Sequence, residues 1–158
     1  MPEPVDSGRT SPDILRTEAD AKAKRFEDRV NSWLDNAKKS KEKDPQHHKR
    51  YASHTYYVDE EGREGARINY IINQVPEIDE TISRAPNGSV SWKLIEDRKR
   101  SPSLRPQITV VEVEKIKDGD IRYVRREDKQ TVEYSSANPD HLGKIDRVLD
   151  KALKRLGA

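Results

Sequence analysis

Four short runs decide the fold: VSWKL (residues 90–94), ITVVEV (108–113), IRYV (121–124) and TVEY (131–134). Apolar and polar residues alternate along these runs, as is typical of strands with one buried face and one wet face. Asn87-Gly88 favours a turn before the first run, and Asp118-Gly119 favours a tight hairpin between the second and third. We therefore expect an antiparallel meander sheet of three or four strands between Ser89 and Ser136.

The segment that follows the meander, Asn138 to Leu156, predicts a helix that docks on this sheet. Asn138 can cap its first turn, Pro139 suits the position after the cap, and Gly157 can end it. Its apolar residues recur at helical spacing and form one broad stripe. The stripe consists of Leu142, Ile145, Val148, Leu149, Ala152, Leu153 and Leu156.

Residues 11–44 predict a long amphipathic helix, preceded by a disordered tail over residues 1–10. Its apolar residues recur at steps of four and three, which places them on one narrow stripe. The stripe consists of Leu15, Ala19, Ala23, Phe26, Val30, Trp33 and Ala37. Two interpretations remain open: the helix packs across the sheet, or residues 11–43 pair with a second copy or another protein through Leu15, Phe26, Val30 and Trp33.

The segment Ala66–Arg84 is ambiguous. Its isoleucines and Val75 fit helical spacing, but Ile68, Tyr70 and Ile72 also fit a strand that would pair with residues 55–58. We favour a helix that breaks at Pro76 and restarts with the acidic residues after it. The expected fold is therefore an α+β domain over residues 45–158, with a three- to four-stranded sheet covered by helices on one face.

Composition limits the possible classes of protein. The 158 residues are 38% charged and 32% apolar, with a mean hydropathy of −1.09 and a formal net charge of +2, so the chain can build one modest core. The absence of cysteine excludes disulfides and thiolate zinc sites. There is no apolar run of about 18 residues and no signal-peptide pattern, so we expect a soluble cytoplasmic protein.

Catalytic and metal motifs are missing from the sequence, so we assign no catalytic residue, metal or cofactor. The four histidines do not have metal-binding spacing, and no phosphate loop or Gly-x-Ser-x-Gly elbow occurs. Glu112, Glu114 and Lys115 would suit a magnesium-dependent nuclease, but Lys115 is predicted on the other strand face. A metal-independent ribonuclease remains an alternative, with side-chain types supplied by His54, Glu96, Arg98, Arg122 and Tyr123.

Basic residues beside aromatic residues are the strongest functional signal. They are typical of surfaces that bind phosphates and stack bases, so we expect a non-enzymatic protein that binds single-stranded DNA or RNA. The opposing interpretation is that nearby acids such as Glu112 and Glu127 neutralise this surface, and a protein that uses its N-terminal helix for assembly is the main alternative function. The candidate nucleic-acid-binding residues are Lys49, Arg50, Tyr51, Tyr57, Lys93, Arg98, Lys99, Arg100, Arg105, Arg122 and Arg126.

Overall fold

The computed structural model describes residues 12–40, 51–70, 77–97 and 107–157. A single 3-10 turn, Pro139–His141, precedes the last helix. The other elements follow in chain order as α1 (Pro12–Ser40), β1 (Tyr51–Val58), β2 (Glu64–Tyr70), β3 (Glu77–Arg84), β4 (Val90–Asp97), β5 (Ile108–Lys115), β6 (Ile121–Glu127), β7 (Gln130–Ser135) and α2 (Leu142–Arg155).

The strands form one antiparallel sheet in which β1 to β7 are neighbours in chain order. The α+β class with an N-terminal helix is confirmed, but the predicted strand number of three to four is wrong, because the described part of the chain forms a sheet of seven strands. The predicted β5–β6 hairpin is present, and it turns through Asp118, whose backbone is left-handed (φ 54°). Gly88, with φ 94°, makes the turn before β4.

The prediction of helix over Ala66–Arg84 is wrong. Its described parts are strands β2 and β3, which pair with Ala66 opposite Ile82 and Ile68 opposite Glu80. The acids after Pro76, interpreted as a helix start, belong to β3, where Asp79 faces away from the helices and Glu80 faces them. The pairing of residues 55–58 with β2, which was the alternative, is the one that forms. The predicted break at Pro76 lies outside the described residues.

Both helices pack on the same face of the sheet, and the core lies between the helices and the sheet. The α1 stripe is buried there: Phe26 and Val30 are 0% exposed and Trp33 is 7% exposed. Trp92 of β4, the largest fully buried side chain, lies in the same core. The helix predicted over residues 11–44 therefore covers Pro12–Ser40 and packs across the sheet, while residues 41–44 lie outside the described part.

Polar contacts join the two helices beside this core. Lys22 of α1 lies 2.9 Å from both Asp146 and Asp150 of α2. Arg29 Nε and Trp33 Nε1 donate to the carbonyl oxygen of Leu156 at 3.0 and 3.1 Å. Carbonyl groups at a helix C-terminus have no partner within the helix, so α1 supplies the donors that the end of α2 needs. Neither helix is long and apolar enough to cross a membrane.

Candidate functional site

The second face of the sheet is covered by neither α1 nor α2, and we call it the open face. Side chains alternate along each strand, so Val90, Trp92 and Leu94 of β4 point to the helices, and the residues between them point away. Cross-strand register then assigns residues of the other strands to this face. Those that matter here are Tyr57, Gly65, Arg67, Asp79, Lys93, Glu112, Glu114, Arg122, Arg126 and Glu133.

The structure brings four of the candidate nucleic-acid-binding residues to the open face. They are Tyr57, Lys93, Arg122 and Arg126. Tyr57 is 40% exposed, and its ring occupies the space that a Cβ atom would need at Gly65, so a side chain at position 65 would displace that ring. For Tyr51, only the backbone is described, and it begins β1. The remaining candidates lie outside the described residues: Lys49, Arg50, Arg98, Lys99, Arg100 and Arg105.

The four residues do not form one cluster along the strands. Tyr57 and Arg122 lie near the turns at 59–63 and 116–120, whereas Arg126 lies four residues further along β6, a distance of about 13 Å. We call the end near Arg126 the β4–β5 end, because β4 ends there at Asp97 and β5 begins there at Ile108. The opposite end is called the far end.

Charges on the described part of the open face are mixed. Arg122 Nη2 lies 2.6 Å from Glu133 Oε1, and Arg67 Nη2 lies 3.2 Å from Asp79 Oδ2. The hydrogen bond to Glu133 raises the pKa of Arg122. Lys93 lies opposite Glu112 in the register of β4 and β5. The positive surface predicted between Lys93 and Arg126 is therefore interrupted by carboxylates on this face.

A second feature, which the sequence did not reveal, lies on the helix-covered face. A cleft of about 430 Å³ opens between α2 and strands β4–β7, and we call it the α2 cleft. Glu96, Thr109 and Glu127 at the β4–β5 end line it. Asp97, which follows Glu96, and Gln107, which precedes β5, flank the segment that carries Arg98, Lys99, Arg100 and Arg105. The described residues on either side of this basic segment thus lie at the same end of the sheet as the cleft.

Two tyrosines form the apolar part of the cleft wall. Tyr123 and Tyr134 lie opposite each other on β6 and β7, with ring centroids 5.1 Å apart and planes inclined by 28°. Burial raises the pKa of Tyr123, so its hydroxyl stays protonated and able to donate at neutral pH. Val111 and Val148 complete this wall. The arrangement can hold a flat apolar group.

Four cations line the same cleft: Arg125, Lys144, Arg147 and Lys151. Arg125 is bonded to Glu127, and Lys151 lies 3.4 Å from Glu96. Lys144 Nζ lies 5.1 Å from the centroid of the Tyr134 ring, and Arg147 Nε donates to the carbonyl oxygen of Gly143 at 3.3 Å. Four cations and two carboxylates give the cleft a positive balance, which suits an anionic ligand.

The side chains considered for a ribonuclease do not converge. Glu96 and Tyr123 face the α2 cleft, whereas Arg122 lies on the open face. Arg98 and the side chain of His54 lie outside the described part of the chain. Among the described residues, no group of three His, Asp or Glu side chains is placed to hold a metal ion. Comparison with protein-family models, with curated proteins and with solved structures finds no match to this chain.

Proposed function

We propose that the protein is a non-enzymatic binder of single-stranded DNA or RNA, and that it binds at the β4–β5 end. The observation that carries this proposal is the α2 cleft, where cations stand beside a stacked tyrosine pair. Single-stranded nucleic acids are held by basic grooves that track phosphates and by aromatic rings that stack on bases. Both kinds of group line one cleft here.

The distribution of charge between the two ends supports the same site. Turns at the far end carry the acids Asp59, Glu60, Glu61, Asp118 and Asp120 against the cations Arg63 and Lys117, which leaves them with a negative balance. By contrast, residues 98–106, which join β4 to β5, include four basic residues and no acidic residue. Arg126 and Lys129 are exposed at this same end, beside the exposed Asp128. A polyanion would therefore be drawn to the β4–β5 end and repelled from the far end.

The assembly alternative is less well supported. Three of its four interface residues, Phe26, Val30 and Trp33, are buried in the core of this chain. An interface needs side chains that a partner can reach. The apolar stripe that suggested a partner is thus accounted for by the sheet and α2.

The proposal is tested by fluorescence polarisation with labelled single- and double-stranded DNA and RNA at 50 and 200 mM salt. If four phosphates are contacted, the single-strand slope of about 0.7 per contact predicts that affinity falls about 50-fold over this range. We expect single strands to bind more tightly than duplexes, because only unpaired bases can stack in the cleft.

Matched charge-reversal variants locate the binding site in the same assay. Lys144→Glu with Arg147→Glu should weaken binding of single strands by at least about tenfold. Lys117→Glu with Lys154→Glu changes the net charge equally, but neither residue lines the cleft, so its affinity should stay closer to that of the parent. Undetectable binding at 50 mM salt, or equal losses in the two variants, would argue against the proposal.

A further inference from the structure

We propose that the α2 cleft is a subsite for a single nucleotide and accepts a nucleoside monophosphate, with the phosphate on Lys144 and Arg147. This inference rests on the proposed function and specifies the ligand unit of its site. The same chemistry is present in a free mononucleotide and in the phosphorylated end of a strand. The experiment below distinguishes these two sources.

The size of the cleft fits one nucleotide. Its volume of about 430 Å³ lies in the lower part of the range of about 300–1,000 Å³ for small-ligand pockets. The wall formed by Tyr123, Tyr134, Val111 and Val148 offers an apolar surface for a base, and charged groups border it. A planar ring with one acidic group therefore matches both parts of the cleft.

Ion pairing inside the cleft separates its four cations into two kinds. Arg125 and Lys151 each have a carboxylate, Glu127 and Glu96 respectively. Within the described ranges, Lys144 and Arg147 form no ion pair with a carboxylate. The anionic group of a ligand would thus be attracted chiefly to Lys144 and Arg147.

The present contacts of these two cations leave them available. Lys144 rests against the Tyr134 ring, and a cation–π contact at a partly exposed site is weaker than a charge-assisted hydrogen bond to phosphate. Arg147 uses Nε for the carbonyl oxygen of Gly143, which engages only one of the five guanidinium N–H donors. Both side chains can therefore bind phosphate without breaking an ion pair.

The helix fixes the two cations relative to each other. Positions three and four apart lie on one side of a helix, so Lys144, Arg147 and Val148 share the side that lines the cleft. A phosphate monoester carries a charge of about −1.5 to −2 at pH 7, which two cations balance. A triphosphate would bring more negative charge than these two residues can neutralise.

The inference is tested by isothermal titration calorimetry of the whole chain with AMP and UMP, and with adenosine and inorganic phosphate as partial ligands. We expect each mononucleotide to bind at least about tenfold more tightly than adenosine or phosphate alone, because only the whole nucleotide uses both wall and cations. Lys144→Ala with Arg147→Ala should weaken AMP binding at least about tenfold. The matched control, Lys117→Ala with Lys154→Ala, should bind AMP as the parent does.

A second variant fills the cleft without removing charge. Thr109→Trp places an indole at a position that lines the cleft, and it should also abolish AMP binding, with circular dichroism confirming that the sheet is retained. AMP binding that persists in both this variant and Lys144→Ala with Arg147→Ala would overturn the inference.

The two proposals fail in different ways. If oligonucleotides bind with the expected salt dependence but AMP does not, the single-nucleotide subsite is wrong and the proposed function stands. If AMP binds through Lys144 and Arg147 but an oligonucleotide with a 5′-phosphate does not bind, the subsite stands as a mononucleotide site and the proposed function fails.

Discussion

Glu80 is a carboxylate in the core, 1% exposed, between the sheet and α2. It accepts a hydrogen bond from Trp92 Nε1 at 2.6 Å and from Arg155 Nε and Nη2 at 3.0 and 3.1 Å. A buried charge is tolerated only when it is paired and hydrogen-bonded, and these donors meet that need. The hydrogen bonds from Arg155 to Glu80 also hold the last turn of α2 against β3.

Replacement of this carboxylate tests how much the contact contributes to stability. Removing one partner of a buried ion pair costs about 3–5 kcal/mol, and Arg155 is partly exposed, so we expect Glu80→Gln to lower the free energy of unfolding by about 3 kcal/mol. Urea denaturation followed by tryptophan fluorescence measures this value. Glu60→Gln, in an exposed turn, is the control and should change it by less than about 0.5 kcal/mol. Equal stability of the two variants would contradict this account of Glu80.

A second polar network joins α1 to the sheet through Glu64. Tyr56 Oη donates to Glu64 Oε1 at 2.6 Å, and Arg84 Nε donates to Oε2 at 2.8 Å. Arg84 also donates to Asn31 and Asp35 of α1, at 2.9 and 3.1 Å. The bond from Tyr56, together with Arg84, lowers the pKa of Glu64, whereas burial and the bond to Glu64 raise the pKa of Tyr56 to about 12.

This lowered pKa predicts a pH dependence of stability. The stabilisation by ionised Glu64 is fully present above the pKa of the unfolded chain, about 4.3, and is lost as the pH falls through the lower pKa of the folded protein. Glu64→Gln cannot titrate. We therefore expect it to be less stable than the parent at pH 7, with a difference that narrows between about pH 5 and pH 3 in urea denaturation. A difference that stays constant or widens on acidification would be inconsistent with the network.

At the scale of elements, α1 is part of the core. Truncation of a buried α1 residue therefore tests this packing against the alternative in which α1 binds a partner. Phe26 is 0% exposed, and removal of a buried phenylalanine ring costs about 3–5 kcal/mol. Phe26→Ala should lower the free energy of unfolding by this amount, whereas Ile14→Ala, at a side chain 52% exposed, should cost less than about 0.5 kcal/mol. Urea denaturation combined with light scattering checks both stability and mass. A small loss of stability together with a fall in mass would favour the assembly alternative.

The sequence predicts correctly those elements whose local pattern of apolar and polar residues matches the burial of those residues in the fold. β4 alternates cleanly between buried and partly exposed residues, and α2 has a broad apolar stripe. Asn138, predicted to cap this helix, caps the 3-10 turn before it, where its side chain accepts from the backbone N–H of Asp140. In β3, by contrast, the helix-covered face carries Ile78, Glu80 and Ile82. Glu80 interrupts the apolar alternation there, because its partners Trp92 and Arg155 come from distant parts of the chain. Local pattern alone could not reveal that a carboxylate belongs in the core.

The α2 cleft was missed for a similar reason. Lys144, Arg147 and Lys151 are visible in the sequence, but a cation near a helix C-terminus, such as Lys151, is already explained by its interaction with the helix dipole. Their meeting with Tyr123 and Tyr134 depends on where α2 crosses the sheet, which is a tertiary property. The sequence signal for such a ligand site is a series of basic residues at helical spacing next to the apolar stripe of a helix that packs on a sheet.

At the scale of the whole molecule, a net charge of +2 conceals an uneven distribution. Turns with a negative balance of charge lie at the far end, and the α2 cleft, with its positive balance, lies at the β4–β5 end. Under the proposed function, such an arrangement would orient an approaching polyanion before contact and make association sensitive to salt. Binding should therefore be confined to one end of the sheet.

The most direct measurement of this claim is a titration of the ¹⁵N-labelled protein with a single-stranded oligonucleotide, followed by amide chemical shifts. We predict that the largest shifts occur around the α2 cleft, at Thr109, Tyr123, Lys144, Arg147 and Lys151, while amides of the far end change little. Shifts centred on Tyr57, Gly65 and Arg122 at the far end, or no shifts at saturating oligonucleotide, would contradict the account.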